Sequence, residues 1–233
     1  MSTALPSAQL ADITNESVIP ITLVQLAERF GDIPATRICL NPAPGTATED
    51  DVIRFQEGGD CLYELVDGTM IAKDMGTDES HIGGMIYGLL FVYLRQNPIG
   101  IVIPADGMFR LRSANVRLPD VAFIANARLQ DAAIRRQKIA GISPNLAIEV
   151  ISAGNSRKEM DDKLKEYFVS GSQEAWYVYP KKRELHQFVT PQAPQVWQGS
   201  AKVTSALLPG FELNLAEIFE SPFAPPTDNP GKK

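Results

Sequence analysis

Two short apolar segments, each carrying a single carboxylate, place the strongest constraint on how this chain folds. Asp120 directly precedes the apolar residues 121–124, and Glu149 lies inside the apolar segment 146–151. Segments of this length bounded by Pro, Gly or Asn are typical of buried strands rather than helices. An isolated buried charge is so costly that each carboxylate must be neutralised, paired or bound to a cation. With Lys163 in the helix that follows, the two carboxylates predict a divalent-metal site.

The same residue types leave purely structural roles open. An Asp after Pro, as at Asp120, is commonly a turn or capping residue, and a strand Glu such as Glu149 commonly faces solvent. Glu64, between two apolar residues of another predicted strand, either points to solvent or supplies a third acidic group. His81 opens a predicted helix, where the dipole disfavours a charged imidazole, so a neutral histidine beside the cap is the alternative to a site residue.

Composition narrows the class of protein without selecting a function. The chain has 233 residues, of which 44% are hydrophobic and 21% charged, and its formal net charge is −6. These values are ordinary for a soluble globular protein, and the negative charge weighs against a protein that simply coats nucleic acid. Cys39 and Cys61 have no metal-ligand spacing, and we find neither a signal peptide nor a spanning segment. A cytoplasmic protein without membrane contact is expected.

We predict one α/β domain over residues 21–220. Residues 1–20 are small and polar and are expected to form a loose arm, whereas residues 221–233 are Pro-rich and expected to be disordered. We find no internal repeat and no linker between these limits.

Local signals predict several elements inside this domain. Residues 61–73 are expected to form a hairpin around the turn Asp67-Gly68, and a helix capped by the loop after Ile151 is expected over 156–170. A second helix is predicted from near Ser80 to Asn97, after an acidic loop over 74–79. Its three glycines, Gly83, Gly84 and Gly88, suggest close packing against another backbone. Further predictions are a helix from Thr22, a capping box at Thr48 and Asp51, strands on either side of Asp106-Gly107, a hairpin over 174–189, and a last strand and turn over 203–215.

A set of short motifs occurs in a definite order along the chain. They are YELVDG (63–68), His81 at a helix start, LPDVAF (118–123), LAIEVIS (146–152), Lys163, Tyr167 and Gly171 followed by EAWYV (174–178), and LPGFEL (208–213). Over about residues 61–219 this ordered set resembles the Uma-two family of restriction-endonuclease-like proteins. The resemblance implies the fold of the PD-(D/E)xK nuclease superfamily, a mixed central sheet flanked by helices, with Mg²⁺-dependent phosphodiester cleavage as its ancestral chemistry.

The resemblance assigns family positions to individual residues. Asp120 corresponds to the aspartate of the PD motif, Glu149 to its D/E position, and Glu64 to an early glutamate. The lysine expected two residues after Glu149 is absent, because Ile151 stands there. The resemblance implies that this lysine lies on the following helix, at Lys163. Residues through 60 have no clear counterpart in the family.

The implied roles agree with the chemistry of magnesium. Mg²⁺ binds a few carboxylates and keeps several waters, so Asp120, Glu149 and the Val150 carbonyl oxygen would supply part of its shell, with Mn²⁺ as a substitute. Lys163 would orient or deprotonate the attacking water, or offset charge on the phosphate. Glu64 would complete the metal shell or hold a water, and His81 would position phosphate or water.

Three functions follow, of which a Mg²⁺-dependent endonuclease acting on DNA is the leading hypothesis. The displaced lysine and the negative net charge also allow a degenerate nuclease fold that binds nucleic acid or protein without cleavage. A metal hydrolase for another phosphodiester is the third. A small basic cluster at Arg135, Arg136 and Lys138 either forms a solvated surface or touches phosphate. A homodimer is also expected, because two-fold assemblies are the commonest oligomers.

Overall fold

The computed structural model describes residues 22–59, 61–130 and 136–220. The predicted arm over 1–20 and the predicted tail over 221–233 lie outside the described residues, as does Arg135 of the basic cluster.

The described chain contains helices and strands in mixed order. The helices are α1 (Leu23–Arg29), α2 (Glu49–Gly58), α3 (Thr77–Gln96), α4 (Arg157–Val169) and α5 (Leu215–Phe219). The strands are β1 (Tyr63–Val66), β2 (Thr69–Ala72), β3 (Gly100–Pro104), β4 (Met108–Arg110), β5 (Val116–Arg117), β6 (Val121–Ala125), β7 (Ile139–Ala140), β8 (Leu146–Val150), β9 (Glu174–Tyr179), β10 (Glu184–Phe188), β11 (Gln195–Gln198), β12 (Lys202–Thr204) and β13 (Glu212–Asn214). Short 3₁₀ turns cover Ala35–Arg37, Asn126–Arg128 and Pro180–Lys182.

A six-stranded sheet forms the centre of the molecule, in the order β11-β10-β9-β8-β6-β3. Strands β8 and β9 run parallel and the other neighbours run antiparallel, so the sheet is mixed. A five-stranded sheet, β2-β1-β5-β4-β7, lies beside it, and β12 and β13 form a small third sheet. The predicted fold class, a mixed central sheet flanked by helices, is confirmed.

Helices cover both faces of the central sheet because side chains alternate along each strand. On one face, Ile86 of α3 packs with Phe123 and Ile148 of the sheet. On the other face, Leu164 of α4 packs with Tyr177 of β9. Glu149 and Lys163 therefore lie in the layer between the sheet and α4. Among the described residues, no helix is long and apolar enough to cross a membrane.

Most locally signalled elements form where the sequence predicts them. The turn at Asp67-Gly68 joins β1 to β2, and Thr48 and Asp51 make both bonds of a capping box at α2. Helix α3 differs, because it begins at Thr77 rather than near Ser80. Asp78 and Glu79 lie in its first turn, where negative charge is favourable at a helix N-terminus. The last three residues of the predicted acidic loop are therefore helical.

The glycines of α3 do not share one environment. Gly83 is buried, and a Cβ atom there would lie 3.8 Å from Asp120 Cβ. A Cβ atom at Gly84 or Gly88 would meet nothing within 4 Å outside the neighbouring helix backbone. The prediction of close packing is therefore wrong for these two glycines, which leave open space on the helix surface.

The two strands predicted around Asp106-Gly107 are present, whereas the prediction for residues 203–215 is wrong. The strands on either side of Asp106-Gly107 are β3 and β4, and they belong to different sheets because β3 pairs with β6 and β4 pairs with β5 and β7. Residues 203–215, predicted as one strand and a turn, form instead β12, β13 and the start of α5.

Candidate active site

Asp120 directly precedes β6, and Glu149 lies in the neighbouring strand β8. In the antiparallel pair β6–β8, Val121 is opposite Ile148. Continuing that register by one residue places Asp120 opposite Glu149. Both carboxylates are buried. The structure therefore brings together the two acidic residues that the sequence singles out.

Each oxygen of Asp120 has a defined partner. Oδ2 accepts a hydrogen bond of 2.7 Å from the Val150 main-chain N–H, and Oδ1 accepts one of 2.7 Å from Lys73 Nζ. Lys73 Nζ also donates to the Leu118 carbonyl oxygen at 2.5 Å. The N–H and carbonyl of a strand residue point to the same side of the strand, so the Val150 carbonyl oxygen also faces Asp120.

Lys163 reaches the two glutamates from α4. Its Nζ lies 3.0 Å from Glu64 Oε1 and 3.3 Å from Glu149 Oε1. The Tyr167 hydroxyl, one helical turn further on, donates to Glu149 Oε1 at 2.6 Å. The lysine that the resemblance places on the helix thus lies next to Glu149, to which the resemblance assigns the D/E position.

Glu64 holds this group of charges from the five-stranded sheet. Its Oε2 accepts a hydrogen bond of 3.0 Å from Arg117 Nη1, and its Oε1 accepts one of 3.1 Å from the Leu118 main-chain N–H. Arg117 also forms two hydrogen bonds to Glu166 of α4. Glu64 is therefore a buried link between Lys163 and Arg117 rather than a solvent-facing residue.

Burial and charge shift the pKa values of this cluster in opposite directions. Burial raises the pKa of Glu64, but the charges of Lys163, Arg117 and Lys73 outweigh burial and hold that pKa at about 2. Burial raises the pKa of Glu149 to about 7, because the charges of Lys163 and Lys73 only partly offset burial and the charge of Asp120. Burial lowers the pKa of Lys163, but the surrounding glutamates outweigh burial and leave it above its usual value. Lys163 is consequently an ammonium at neutral pH.

His81 lies apart from these residues. It is exposed on α3, and its side chain makes no hydrogen bond or ion pair with any described part of the chain. Gly83 is the residue of this helix that comes against Asp120. A role for His81 in positioning phosphate or water stays a prediction.

Three residues of the cluster carry no strong signal in the sequence. Lys73 is the last residue of the predicted hairpin over 61–73, where a lysine is ordinarily solvated, and Arg117 precedes the LPDVAF motif. Tyr167 falls on the apolar face of α4, which gives it the pattern of a core residue. The signal for Lys73 is its position at the end of a hairpin that also carries an acidic residue, Glu64. A buried acid in a hairpin favours a basic partner nearby.

The residues present fit a divalent cation. Two facing carboxylates and the Val150 carbonyl oxygen are hard oxygen donors of the kind that Mg²⁺ and Mn²⁺ bind together with waters. The ammonium group of Lys73 donates hydrogen bonds to both Asp120 Oδ1 and the Leu118 carbonyl oxygen, so these oxygens already bind a positively charged group. No group of three or more His, Cys, Asp or Glu side chains is arranged as a metal site within the described residues.

A mixed sheet flanked by helices, with one acidic residue directly before a strand, another in the adjacent strand and a lysine beside them, defines a protein of the restriction-endonuclease-like fold. The chain belongs to the family described as "Uma2: Putative restriction endonuclease", whose sequence model matches residues 50–216, more than half of the chain. The match begins before the segment 61–219 that carries the motif resemblance, and it includes Asp120, Glu149 and Lys163.

A solved structure supports the same fold. The protein described as "a putative nuclease belonging to DUF820" from Anabaena variabilis aligns with a TM-score of 0.60 and 18% sequence identity. The alignment covers 69% of this chain and 90% of that one. No curated protein matches the sequence. The family description and the shared fold together support a nuclease.

Proposed function

We propose that this protein is a metal-dependent endonuclease that hydrolyses phosphodiester bonds in DNA. The observation that carries the proposal is the convergence of Asp120, Glu149 and Lys163, with Lys163 Nζ 3.3 Å from Glu149 Oε1. Residues with these chemistries suffice to hold a divalent cation and to place a positive charge beside it. Family membership supports the same assignment.

Asp120, Glu149 and the Val150 carbonyl oxygen would hold Mg²⁺ or Mn²⁺. When bound there, a divalent cation polarises a phosphoryl oxygen and lowers the pKa of a bound water. Asp120 is fixed for this task by the Val150 N–H, which leaves its other oxygen directed at Lys73. The protein's own contribution is therefore an oriented pair of carboxylates on rigid strands.

Lys163 acts as a hydrogen-bond donor in this proposal. Because its pKa is raised, the side chain keeps its proton at neutral pH and cannot serve as a general base. It orients the attacking water and offsets negative charge that develops on the phosphate. Glu64 and Tyr167 position Lys163 and Glu149 respectively. Lys73, held by the Leu118 carbonyl, supplies a second positive charge next to Asp120.

A binding module without cleavage is the second candidate. It is favoured by one specific observation, namely that each site carboxylate is already paired with an ammonium, Asp120 with Lys73 and Glu149 with Lys163. Such a compensated set of charges is also what a purely structural buried network looks like. This candidate predicts nucleic-acid or protein binding that persists when Asp120 is replaced and no cleavage with any metal.

Cleavage assays separate the two candidates. Supercoiled plasmid and single-stranded DNA are incubated with Mg²⁺ or Mn²⁺ and the parent, Asp120→Asn or Lys163→Met proteins. We expect metal-dependent cutting by the parent and a rate lower by roughly a hundredfold or more in both variants, the scale seen when a charge-stabilising group is removed. Activity on bis(4-nitrophenyl) phosphate without activity on DNA would point to another phosphodiester as substrate.

Asp162→Asn is the matched control. Asp162 follows Asp161 on α4 immediately before Lys163, but its side chain is half-exposed and pairs with Lys158. We expect this variant to cut at the parent's rate. Cutting by Asp120→Asn at the parent's rate would show that the carboxylates do not carry the activity, whereas no cutting by the parent with either metal favours the binding module.

A further inference from the structure

A cavity of about 240 Å³ opens beside Asp120, between the first turns of α3 and the end of β3. Its walls are largely apolar and include Tyr87 and Pro104. Asp120 is the one member of the candidate active site among the residues that line it. A molecule in this cavity would therefore lie directly next to the carboxylate that the proposed function assigns to the metal.

Two glycines line the cavity, and one of them leaves open space in it. Gly83 and Gly84 line the cavity, and a Cβ atom at Gly84 would meet nothing within 4 Å. Glycine destabilises a helix relative to alanine because it lacks a side chain and gains conformational freedom on unfolding. Consecutive glycines therefore destabilise this helix of 20 residues. In return, the missing side chain at Gly84 leaves open space in the cavity.

The lining selects against phosphate and in favour of a neutral ring. Two carboxylates, of Glu79 and Asp120, line the cavity, and no Lys or Arg does. Because Asp120 is already paired with Lys73, the charge that disfavours a phosphate group inside the cavity is that of Glu79. Tyr87, whose half-buried ring stacks with Phe91 at 6.1 Å between centroids, lines the cavity, and the Ser80 hydroxyl and the Glu79 carboxylate offer hydrogen-bonding groups for the edge of a ring. Apolar walls with few polar groups are typical of sites for flat organic ligands.

We propose that this cavity binds one nucleobase of the nucleic-acid substrate, next to the phosphodiester bond presented to Asp120 and Glu149. The inference rests on the proposed function, because that function places a substrate phosphate beside Asp120. The base stacks on Tyr87, as bases do on aromatic side chains of single-strand-binding proteins, and its exocyclic amino group donates to Glu79 or Ser80. The wall of α3 thereby selects which nucleotide adjoins the cleaved bond.

Gly84→Leu and Gly88→Leu form a matched pair of variants for testing this site. Both positions have open space over them and both substitutions replace a helical glycine by the same good helix former. Only Gly84 lines the cavity, so only Gly84→Leu fills it. Thermal unfolding and circular dichroism of the two variants check that both fold like the parent.

Ligand-observed NMR with two probes measures binding without any need for cleavage. The probes are deoxyadenosine 5′-monophosphate and 2-deoxyribose 5-phosphate, which lacks the base, each in the presence of Mg²⁺. We expect the parent and the Gly88→Leu variant to bind the nucleotide about tenfold or more tightly than the sugar phosphate. This difference is consistent with stacking of one base. Gly84→Leu is expected to bind the two probes alike. Equal binding of both probes by the parent, or parent-like discrimination by Gly84→Leu, overturns the inference.

Cleavage of DNA by the same proteins distinguishes this inference from the proposed function. If the parent cuts DNA and Gly84→Leu cuts with the same KM and the same positions of cleavage, the nuclease stands and the base site is wrong. If no protein cuts DNA but base-dependent binding is present and lost only in Gly84→Leu, the proposed function fails and the base site stands.

Discussion

At the scale of single residues, the candidate site consists of buried charges that compensate one another. Lys163 is 3% exposed and lies within 3.3 Å of both Glu64 and Glu149. A buried ion pair contributes little net stability, yet removing one partner leaves an uncompensated charge in a medium that solvates it poorly. The stability of the site therefore depends on the complete set of charges more than on any single contact.

Replacing Lys163 tests this dependence. Lys163→Met keeps the volume of the side chain but leaves Glu64 and Glu149 without their shared cation, so we expect the free energy of unfolding at neutral pH to fall by about 3–5 kcal/mol. Urea unfolding followed by fluorescence measures the change. Lys158→Met, in the same helix, removes an exposed pair with Asp162 and should change stability by less than about 0.5 kcal/mol. Equal losses in the two variants would contradict a compensated buried cluster.

Sequence patterns identify Asp120, Glu149 and Lys163 because a lone carboxylate in an apolar strand needs a partner whatever the fold. They do not identify Lys73, whose burial depends on Leu118 and Asp120 of the segment that connects β5 to β6. They also suggest His81, which is exposed in the structure. The buried stripe of α3 follows Ile82, Ile86 and Leu90, and His81 projects about 100° away from Ile82 around the helix.

At the scale of elements, helix α4 carries Lys163 and is held at its N-terminus by residues from far along the chain. Ser156 and Glu159 form its capping box. Both oxygens of Glu159 also accept hydrogen bonds from Arg37, at 2.7 and 3.0 Å, and both side chains are buried. Arg37 lies before the segment 50–216 that matches the family. The N-terminal part of the chain therefore contributes to the position of the helix that bears the site lysine.

A double-mutant cycle measures this contribution. Arg37→Met leaves the buried Glu159 carboxylate unpaired and is expected to cost about 3 kcal/mol. Glu159→Gln removes the charge but keeps a side chain that can serve in the capping box. The double variant should therefore be less destabilised than the sum of the single variants, by roughly 1–3 kcal/mol. Additive effects, measured by chemical unfolding, would show that the pair does not act as a unit.

Elements that depend on local chemistry are the ones that the sequence predicts. Asp67-Gly68 specifies the β1–β2 turn, and Ser156 and Gly171 mark the limits of α4, where Gly171 has the positive φ of 100° that favours glycine. Strand partners are a different matter. Strands β3 and β4 flank a turn but belong to separate sheets, because β3 forms its hydrogen bonds with β6 and β4 forms its hydrogen bonds with β5.

At the scale of the whole molecule, the candidate site lies where the two larger sheets meet. The five-stranded sheet contributes Glu64 from β1 and Arg117 from β5, and the central sheet contributes Glu149. Leu118, Pro119 and Asp120 connect β5 directly to β6, so the chain passes from one sheet to the other at the site. Charges within the site consequently couple the two sheets, and their titration should affect unfolding of the whole protein.

Glu64 makes this coupling measurable through pH. Its pKa is held at about 2 in the folded protein, mainly by Lys163 and Arg117 acting against burial, whereas an unfolded glutamate titrates near about 4.3. Above that value both states are ionised and the full stabilisation is present. As the pH falls below the pKa of the unfolded glutamate, Glu64 binds a proton in the unfolded chain but stays ionised in the folded protein. The free energy of unfolding therefore decreases, by about 2 kcal/mol at a pH of about 3.

Glu64→Gln removes this titration while leaving the shape of the side chain unchanged. The variant is less stable than the parent at neutral pH, because Lys163 and Arg117 lose a shared carboxylate. Its deficit should shrink by about 2 kcal/mol between a pH of about 6 and one of about 3, since only the parent loses the contribution of Glu64 over that interval. Urea unfolding at several pH values, followed by the fluorescence of buried Trp176, gives both curves. Parallel curves would mean that Glu64 titrates in the folded protein as it does in the unfolded chain, and the junction of the two sheets would then not depend on its charge.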